Sequence, residues 1–366
     1  MKKRELLDLF FGTLLVTAGA GLLLGLYTGL IRLGLALPTA FDLGAMSHGP
    51  LMINGFLATL ISLERGAALE KLWSYVAPFS FVIATVLLLT GFFYSGGYFL
   101  LTGSLFLLLI MGYLCYLQRV VHHFIMAAGA AVLFIGNLLF VLNYPVYDLI
   151  GWWIAFPLLT IFGERLELNR IMRPSKKAQR LFAALIMIWI ISLVSVHLNR
   201  DFGWQFNSVL LIGIALWLIQ YDVARKTIKS KEWTRYSAWC LLTGYGWLII
   251  AGVTGIIYGL PRAGFIYDAQ LHIFFVGFVF SMIFAHAAII IPALTGKLVP
   301  WNRYFYLPFY LLHGFLILRV IGDLFYLTEL RLIGSYGNVA AILLFLAGIL
   351  TQILRQSNKT AQKVSG

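Results

Sequence analysis

The stretch that decides the fold is residues 268–295, DAQLHIFFVGFVFSMIFAHAAIIIPALT, in which Asp268 is the single charged residue. A helix crosses roughly 30 Å of hydrocarbon with about twenty apolar residues and satisfies its own backbone hydrogen bonds there. Similar segments recur along almost the whole chain, which is 61% hydrophobic and 11% charged, with a mean hydropathy of +0.90. The sequence therefore predicts an integral membrane protein and excludes an ordinary soluble domain.

Breaks at Pro, Gly and charge clusters divide the chain into twelve apolar segments. The predicted fold is an all-α polytopic integral membrane bundle of twelve transmembrane helices. One transmembrane domain covers residues 1–354, and residues 355–366 form a polar cytoplasmic tail. The predicted helices are 7–34, 48–68, 73–94, 97–118, 122–143, 145–165, 180–199, 204–224, 236–259, 268–295, 304–325 and 332–354.

The Lys and Arg residues predict the orientation, because short cytoplasmic loops carry the basic excess. With the N-terminus inside, 22 of the 27 basic residues fall on the inner side. Both termini are then cytoplasmic, as expected for a multi-pass protein of a bacterial-type plasma (inner) membrane. The five basic residues that fall toward the outer side are Arg32, Arg200, Arg262, Arg319 and Arg331.

The net charge of +13 indicates which partners to expect, and the presence of only two cysteines limits the disulfides and metal sites that the chain can form. The charge follows from the basic inner loops, which face anionic lipid, so membrane lipid is the expected partner and nucleic acid is not. Cys115 and Cys240 cannot form a disulfide framework or a cysteine-based metal cluster. The sequence contains no CxxCH, which excludes a covalently attached c-type haem.

Four histidines lie within predicted helices at positions suited to metal or haem ligation. His48 and His272 fall at or near the outer ends of helices two and ten, and His313 lies near the middle of helix eleven. His286 follows His272 by 14 residues, about 21 Å along the helix. Imidazole binds haem iron, copper and zinc alike, so the residue type does not select the metal. The structural alternative for each is a hydrogen-bonded polar group at a helix interface.

Small residues follow both outer histidines along their helices. Gly55, Ala58 and Gly66 follow His48, and Gly277 follows His272. Small side chains would let a flat macrocycle approach, so these positions favour His48 and His272 as haem ligands. Glycine in membrane helices also serves close helix packing, which is the alternative interpretation.

Charged residues near these histidines suggest supporting roles. Asp268 precedes His272 by four residues, so its carboxylate either orients the imidazole or caps the helix N-terminus, and capping is slightly favoured. Arg319 forms an i,i+4 pair with Asp323 in the simplest interpretation. Alternatively, Arg319 or Arg262 holds haem propionates, because guanidinium matches a carboxylate in a bidentate fork.

Two further sets of residues have both a structural and a functional interpretation. The pairs in SLERGAAL and FGERLELNR, residues 64–65 and 164–165, are predicted to anchor helices at the cytoplasmic interface, with proton entry as the alternative.

Methionine is a soft copper ligand, although it usually serves packing in a membrane core. The methionines near the candidate histidines are Met46, Met52 and Met282.

Two segments resemble the NnrS-type membrane proteins. Residues 48–56, HGPLMINGF, are similar to that family's second-helix HxxxMxxGF pattern, and residues 272–297 resemble its HxxxxG helix, which ends in histidine, Thr-Gly and a basic residue. The resemblance implies bound haem and copper and a role in nitric-oxide metabolism. Leu294 and Pro50 replace two of the family's histidines, and no NWTG-like element follows helix two, which weakens the expectation of copper more than that of haem.

A wider resemblance is to the haem–copper oxidase core, which also has twelve helices. There, histidines of helices two and ten hold a low-spin haem near the outer side, and His48 and His272 match those positions. That fold's copper site uses histidines of helices six and seven, whereas here predicted helix six has none and helix seven has only His197. The resemblance therefore implies haem without reduction of oxygen or nitric oxide by that mechanism.

These observations lead to a first hypothesis and two alternatives. The first is a haem-binding membrane protein, with or without copper, that handles nitric oxide or transfers electrons to a redox partner, with a haem-dependent oxidoreductase as its enzymatic form. His48 and His272 are its iron ligands, and His313 or His286 is a third ligand or part of a second metal site. The alternatives are a twelve-helix secondary transporter and a structural or assembly subunit.

Overall fold

The computed structural model describes residues 3–38, 47–172 and 174–365, and these residues form helices joined by short loops, without any strand. We number the long helices α1 to α12. The first six are α1 (Lys3–Arg32), α2 (His48–Pro50, Leu51–Ala58 and Thr59–Leu69), α3 (Leu72–Tyr75 and Val76–Leu89), α4 (Phe93–Leu117), α5 (Val121–Val141) and α6 (Val146–Leu168). The others are α7 (Lys176–Leu198), α8 (Arg200–Tyr221), α9 (Glu232–Tyr258), α10 (Phe265–His272, Ile273–Val279 and Phe280–Thr295), α11 (Arg303–Phe305 and Tyr306–Leu324) and α12 (Thr328–Ser365).

Every predicted helix has a counterpart among α1 to α12. Eleven of these helices are long and apolar enough to cross a membrane, and α2 is the one outside that set within the described residues. The all-helical, membrane-type architecture is thus confirmed. Helix α12 continues to Ser365, so the polar tail predicted from residue 355 extends the backbone of the last helix.

Two helices contain a π-helical segment, which the sequence analysis did not predict. Leu51–Ala58 is π-helical within α2, and Ile273–Val279 is π-helical within α10. A π-helical segment inserts extra backbone into an α-helix, and such segments are frequently found at functional sites. The first begins three residues after His48, and the second begins directly after His272.

The chain divides into two compact units. Unit 1 comprises Met1–Gly163 with Ala293–Thr295, and unit 2 comprises Glu164–Pro292 with Gly296–Gly366. Aromatic and aliphatic side chains fill the interior of each unit, with Phe81 and Trp153 fully buried in unit 1 and Trp189 and Tyr245 almost or fully buried in unit 2.

Glycines set the closest helix contacts in each unit. In unit 1, a Cβ at Gly21 would lie 2.6 Å from the Gly55 carbonyl oxygen, which shows how tightly α1 and α2 pack. In unit 2, Gly322 of α11 faces the backbone of Arg331, and Gly334 of α12 faces the backbone of Arg319. Small residues allow this close backbone approach between membrane helices.

Candidate functional site

His48 lies at the start of α2, in unit 1, with its ring against α1. Its Nδ1 is 2.7 Å from the Gly25 carbonyl oxygen, and a Cβ at Gly29 would lie 3.0 Å from the ring. A carbonyl oxygen only accepts, so Nδ1 carries the proton. The neutral ring then has its lone pair on Nε2, the nitrogen that a metal would bind.

His272 has the same tautomer, set within its own helix in unit 2. Its Nδ1 donates to the Asp268 carbonyl oxygen at 2.8 Å and lies 3.5 Å from that residue's carboxylate Oδ1. Metal-bound histidines commonly donate their other ring N–H to a carbonyl or carboxylate, which fixes the ring orientation.

Asp268 does not cap the helix, so the slightly favoured capping interpretation is wrong. Helix α10 begins at Phe265 after Gly264, and no side chain caps its N-terminus. The Asp268 carboxylate instead accepts a hydrogen bond from the Arg319 guanidinium at 2.8 Å. The other role predicted for Asp268 was to orient the His272 imidazole, and its carboxylate does lie beside that ring.

Asp268 belongs to a buried ionic network that joins α10, α11 and α12. We call Asp268, His272, Arg319, Asp323 and Arg331 the Asp268 cluster. Arg331 lies 3.6 Å from the Asp268 carboxylate and 3.0 Å from that of Asp323, and Arg319 lies 4.0 Å from Asp323. The side chain of Asp323 is fully buried, and that of Asp268 is 9% exposed. The negative charges of the two carboxylates and the positive charges of the two guanidiniums therefore balance each other in a site from which water is largely excluded.

The predicted propionate ligands have different environments. The i,i+4 pair of Arg319 and Asp323 is present, and Arg319 also binds Asp268, so a propionate would have to compete with two carboxylates for this guanidinium. Arg262 lies exposed in the loop before α10. Arg331 was not predicted to belong to the site, although its guanidinium contacts both carboxylates of the cluster.

The two remaining candidate histidines differ in how their Nδ1 atoms are used. His286 Nδ1 donates to the Met282 carbonyl oxygen at 2.6 Å, as in the two leading candidates. His313 is buried, and its Nδ1 lies 3.0 Å from the Trp247 Nε1. Indole only donates, so Nδ1 of His313 accepts and the neutral ring carries its proton on Nε2. That tautomer suits His313 to donating a hydrogen bond and not to binding a metal through Nε2.

The small residues near the leading histidines are occupied by helix packing. A Cβ at Gly55 would lie 2.9 Å from the Thr85 hydroxyl oxygen, and one at Gly277 would lie 2.7 Å from the Trp247 ring. The prediction that these glycines leave room for a macrocycle is therefore wrong at both positions. What remains suited to haem iron is the imidazoles of His48 and His272, because the Nδ1 hydrogen bond of each leaves Nε2 as the nitrogen that would bind the metal.

The methionines named as copper ligands also pack against glycine. The Met52 sulfur contacts the position where Gly25 lacks a side chain, and the Met282 methyl group does so at Gly244. Met46 lies outside the described residues. Among the residues that the structure describes, no group of three or more His, Cys, Asp or Glu side chains is placed to hold a metal ion.

A second buried ion pair in unit 2 involves a residue predicted to anchor α6. Arg165 is 2% exposed, and its Nε lies 3.8 Å from the Asp222 carboxylate. That carboxylate also accepts hydrogen bonds from the Tyr245 hydroxyl at 2.9 Å and from the Ala224 backbone N–H at 2.7 Å. Arg165 therefore holds the loop after α8.

The fold and these sites define a helical membrane-type protein with buried ionic and histidine sites. A family model described as Domain of unknown function (DUF8744) matches residues 12–354, and the chain belongs to that family. No curated protein and no solved structure matches the chain.

Proposed function

We propose that the chain is a haem-binding integral membrane protein that transfers electrons or handles nitric oxide, with His48 and His272 as iron ligands. One observation supports this most directly: each histidine directs Nδ1–H to a main-chain carbonyl and lies one to three residues before a π-helical segment. The resemblance of residues 48–56 and 272–297 to NnrS-type proteins supports the same proposal.

The protein's own groups would prepare both imidazoles for this role. Nδ1–H of His48 is held by Gly25, and that of His272 by Asp268, so each ring has a fixed orientation and, in its neutral form, a fixed tautomer. When bound, a haem supplies a one-electron centre, and nitric oxide can bind its iron where a coordination position is open. His313 would serve as a hydrogen-bond donor through Nε2–H, and its predicted role as a metal ligand is not part of the proposal.

The proposal includes the finer topology that the basic residues predict. Helix α2 is taken as the twelfth span, in addition to the eleven that are long and apolar enough. An even number of spans, together with the positive-inside rule, puts both termini in the cytoplasm of a bacterial-type cell. Anionic membrane lipid is the expected partner of the basic inner loops.

The test compares histidine variants by their haem content. We expect His48→Ala and His272→Ala to lose most of the haem that co-purifies with the unsubstituted protein, measured as absorbance per mole of detergent-purified chain. His197→Ala is the matched control, because His197 is an exposed residue near the end of α7 and should not change haem content. Full haem content in both candidate variants would refute the ligand assignment.

A nitric-oxide titration of the same samples separates the two roles. Haem bands that shift on addition of nitric oxide indicate gas handling, since the gas must reach an open coordination position. Bands that respond to reductant and are unchanged by nitric oxide would indicate electron transfer without binding of the gas.

A further inference from the structure

The side chain of Trp247, on α9, lies directly against the π-helical segment of α10. A Cβ added at Gly277 would lie 2.7 Å from Cγ and 2.8 Å from Cβ of Trp247. The Cβ atom of Trp247 does not move when the indole rotates, so this close approach is a property of the two helices. Gly277 lies within Ile273–Val279. The missing side chain at this position therefore allows the indole to rest on the backbone of the segment.

His313, on α11, holds the N–H of this indole. Trp247 Nε1 donates to His313 Nδ1 at 3.0 Å, and the two ring planes are 21° apart. The Phe309 ring packs edge-on against the imidazole, with the ring centroids 4.6 Å apart. All three side chains are buried. Trp247 is therefore fixed at its base by Gly277 and at its N–H by His313, and α9, α10 and α11 meet at the π-helical segment.

The backbone of the segment is also held from within α10. The hydroxyl of the fully buried Ser281 donates to the Gly277 carbonyl at 2.5 Å. The Phe280 N–H bonds to the Phe275 carbonyl, five residues earlier, which is the π-helical pattern. Because π-helical turns are rare compared with α-helical ones, we expect packing contacts to decide which winding this segment takes.

The winding of the segment sets the direction of His272 relative to the rest of α10. His272 comes directly before Ile273, and Phe280–Thr295 continues the helix after Val279. A π-helical segment inserts extra backbone into an α-helix, and an α-helix turns about 100° for each residue. Rewinding the segment as α-helix, with one residue fewer in the bulge, would therefore rotate His272 by about 100° about the helix axis relative to Phe280–Thr295.

We infer that Trp247 and His313 are positioning residues for His272. Their hydrogen bond holds the indole against Gly277, which keeps Ile273–Val279 π-helical and so sets the direction of the His272 imidazole. His313 then acts through Trp247 and not as a metal ligand. The consequence for haem iron rests on the proposed function, whereas the holding of the segment does not.

Amide hydrogen–deuterium exchange of the purified full-length protein in detergent tests the holding of the segment, whether or not haem is bound. Local opening of a helix raises the exchange rate of its amides. His313→Leu removes the hydrogen-bond acceptor, and Trp247→Phe removes the donor. We expect both variants to raise exchange severalfold in peptides that cover Ile273–Val279, while peptides of α7 and α8 keep the rates of the unsubstituted protein.

Two further variants separate the hydrogen bond from a general loss of packing. His313→Asn puts an amide oxygen close to the place of the imidazole Nδ1, so it should accept from Trp247 and keep the unsubstituted rate. Trp217→Phe is the matched control for Trp247→Phe, because Trp217 is also buried and donates at 2.9 Å to the Ala178 carbonyl, between α7 and α8. It should leave exchange in Ile273–Val279 unchanged.

Exchange in Ile273–Val279 that is unchanged in folded His313→Leu and Trp247→Phe would overturn the inference, as would an increase that His313→Asn shares. Where haem is bound, His313→Leu should also shift the ferric haem g-values in the electron paramagnetic resonance spectrum, because these depend on the direction of the axial imidazole, and His313→Asn should restore them. Unshifted g-values in a His313→Leu protein whose segment exchanges faster would overturn the positioning role. The expected exchange rates in a protein without haem would support the holding of the segment and refute the proposed function alone.

Discussion

Substitution of Arg319 is the sharpest test of the Asp268 cluster. Arg319→Met keeps most of the aliphatic stem and removes the guanidinium that contacts Asp268 at 2.8 Å and Asp323 at 4.0 Å. Arg331 would then be the one arginine left in the cluster to balance two carboxylates. The variant therefore places uncompensated negative charge in a site where Asp323 is fully buried.

The expected loss of stability follows from this burial. Removing one partner of a buried ion pair costs about 3–5 kcal/mol, because the remaining charge stays desolvated without its partner. Substituting Asp268→Asn in the same protein removes one negative charge and leaves Asp323 paired with Arg331 at 3.0 Å. The double variant should therefore recover most of the loss, since deleting both members of a buried pair is often close to neutral.

The assay is equilibrium unfolding of the purified protein in mixed micelles by increasing mole fraction of SDS, followed by far-UV circular dichroism. Arg262→Met is the control, because Arg262 is an exposed arginine in the neighbouring loop and should change the free energy of unfolding by about 0.5 kcal/mol or less. The reasoning fails if Arg319→Met costs no more than Arg262→Met. It also fails if the losses of Arg319→Met and Asp268→Asn simply add in the double variant.

Two further predictions concern packing and hydrogen bonding in unit 2. Tyr245→Phe removes the hydroxyl that donates to the fully buried Asp222 carboxylate. In the same unfolding assay it should lower the free energy of unfolding by about 1–3 kcal/mol. An unchanged midpoint of the unfolding transition would contradict this. Gly337→Leu places a Cβ against the Phe315 ring between α11 and α12 and should cost about 1–3 kcal/mol. Gly314→Leu on α11 is its control, because no described atom lies within 4 Å of the added Cβ, and equal losses in both glycine variants would contradict the packing argument.

The helices could be predicted because hydropathy is a local property of the sequence. Each predicted segment corresponds to one of α1 to α12, and the boundaries differ by a few residues, except at α12, which continues to Ser365. The π-helical segments could not be predicted. They depend on how neighbouring helices pack, as where Gly21 of α1 meets the Gly55 backbone within the segment Leu51–Ala58.

The ionic site was predictable only where its members are close in sequence. The pair of Arg319 and Asp323 follows from i,i+4 spacing, and Asp268 lies one turn before His272. Arg331 joins them because α11 and α12 pack through Gly322 and Gly334, and no local pattern predicts that contact. The small residues in α11 and α12 were the one signal in the sequence that these two helices pack closely together.

Contacts between residues that are far apart in the chain could not be predicted from the sequence. Trp247 donates to His313 from 66 positions away, and this bond sets the tautomer of His313 against metal ligation. Asn137 likewise donates to Asn54, which is 83 positions away. Asparagine in an apolar segment indicates an interhelical hydrogen bond in general, but a partner can be assigned only once the helices are packed.

The reduced-minus-oxidised absorption spectrum of the detergent-purified protein tests the central claim most directly. The account predicts haem bands at a stoichiometric ratio to the chain, and their loss in the His48→Ala and His272→Ala variants. A folded, colourless protein from haem-replete cells would contradict haem binding and leave transport or assembly as the function to test.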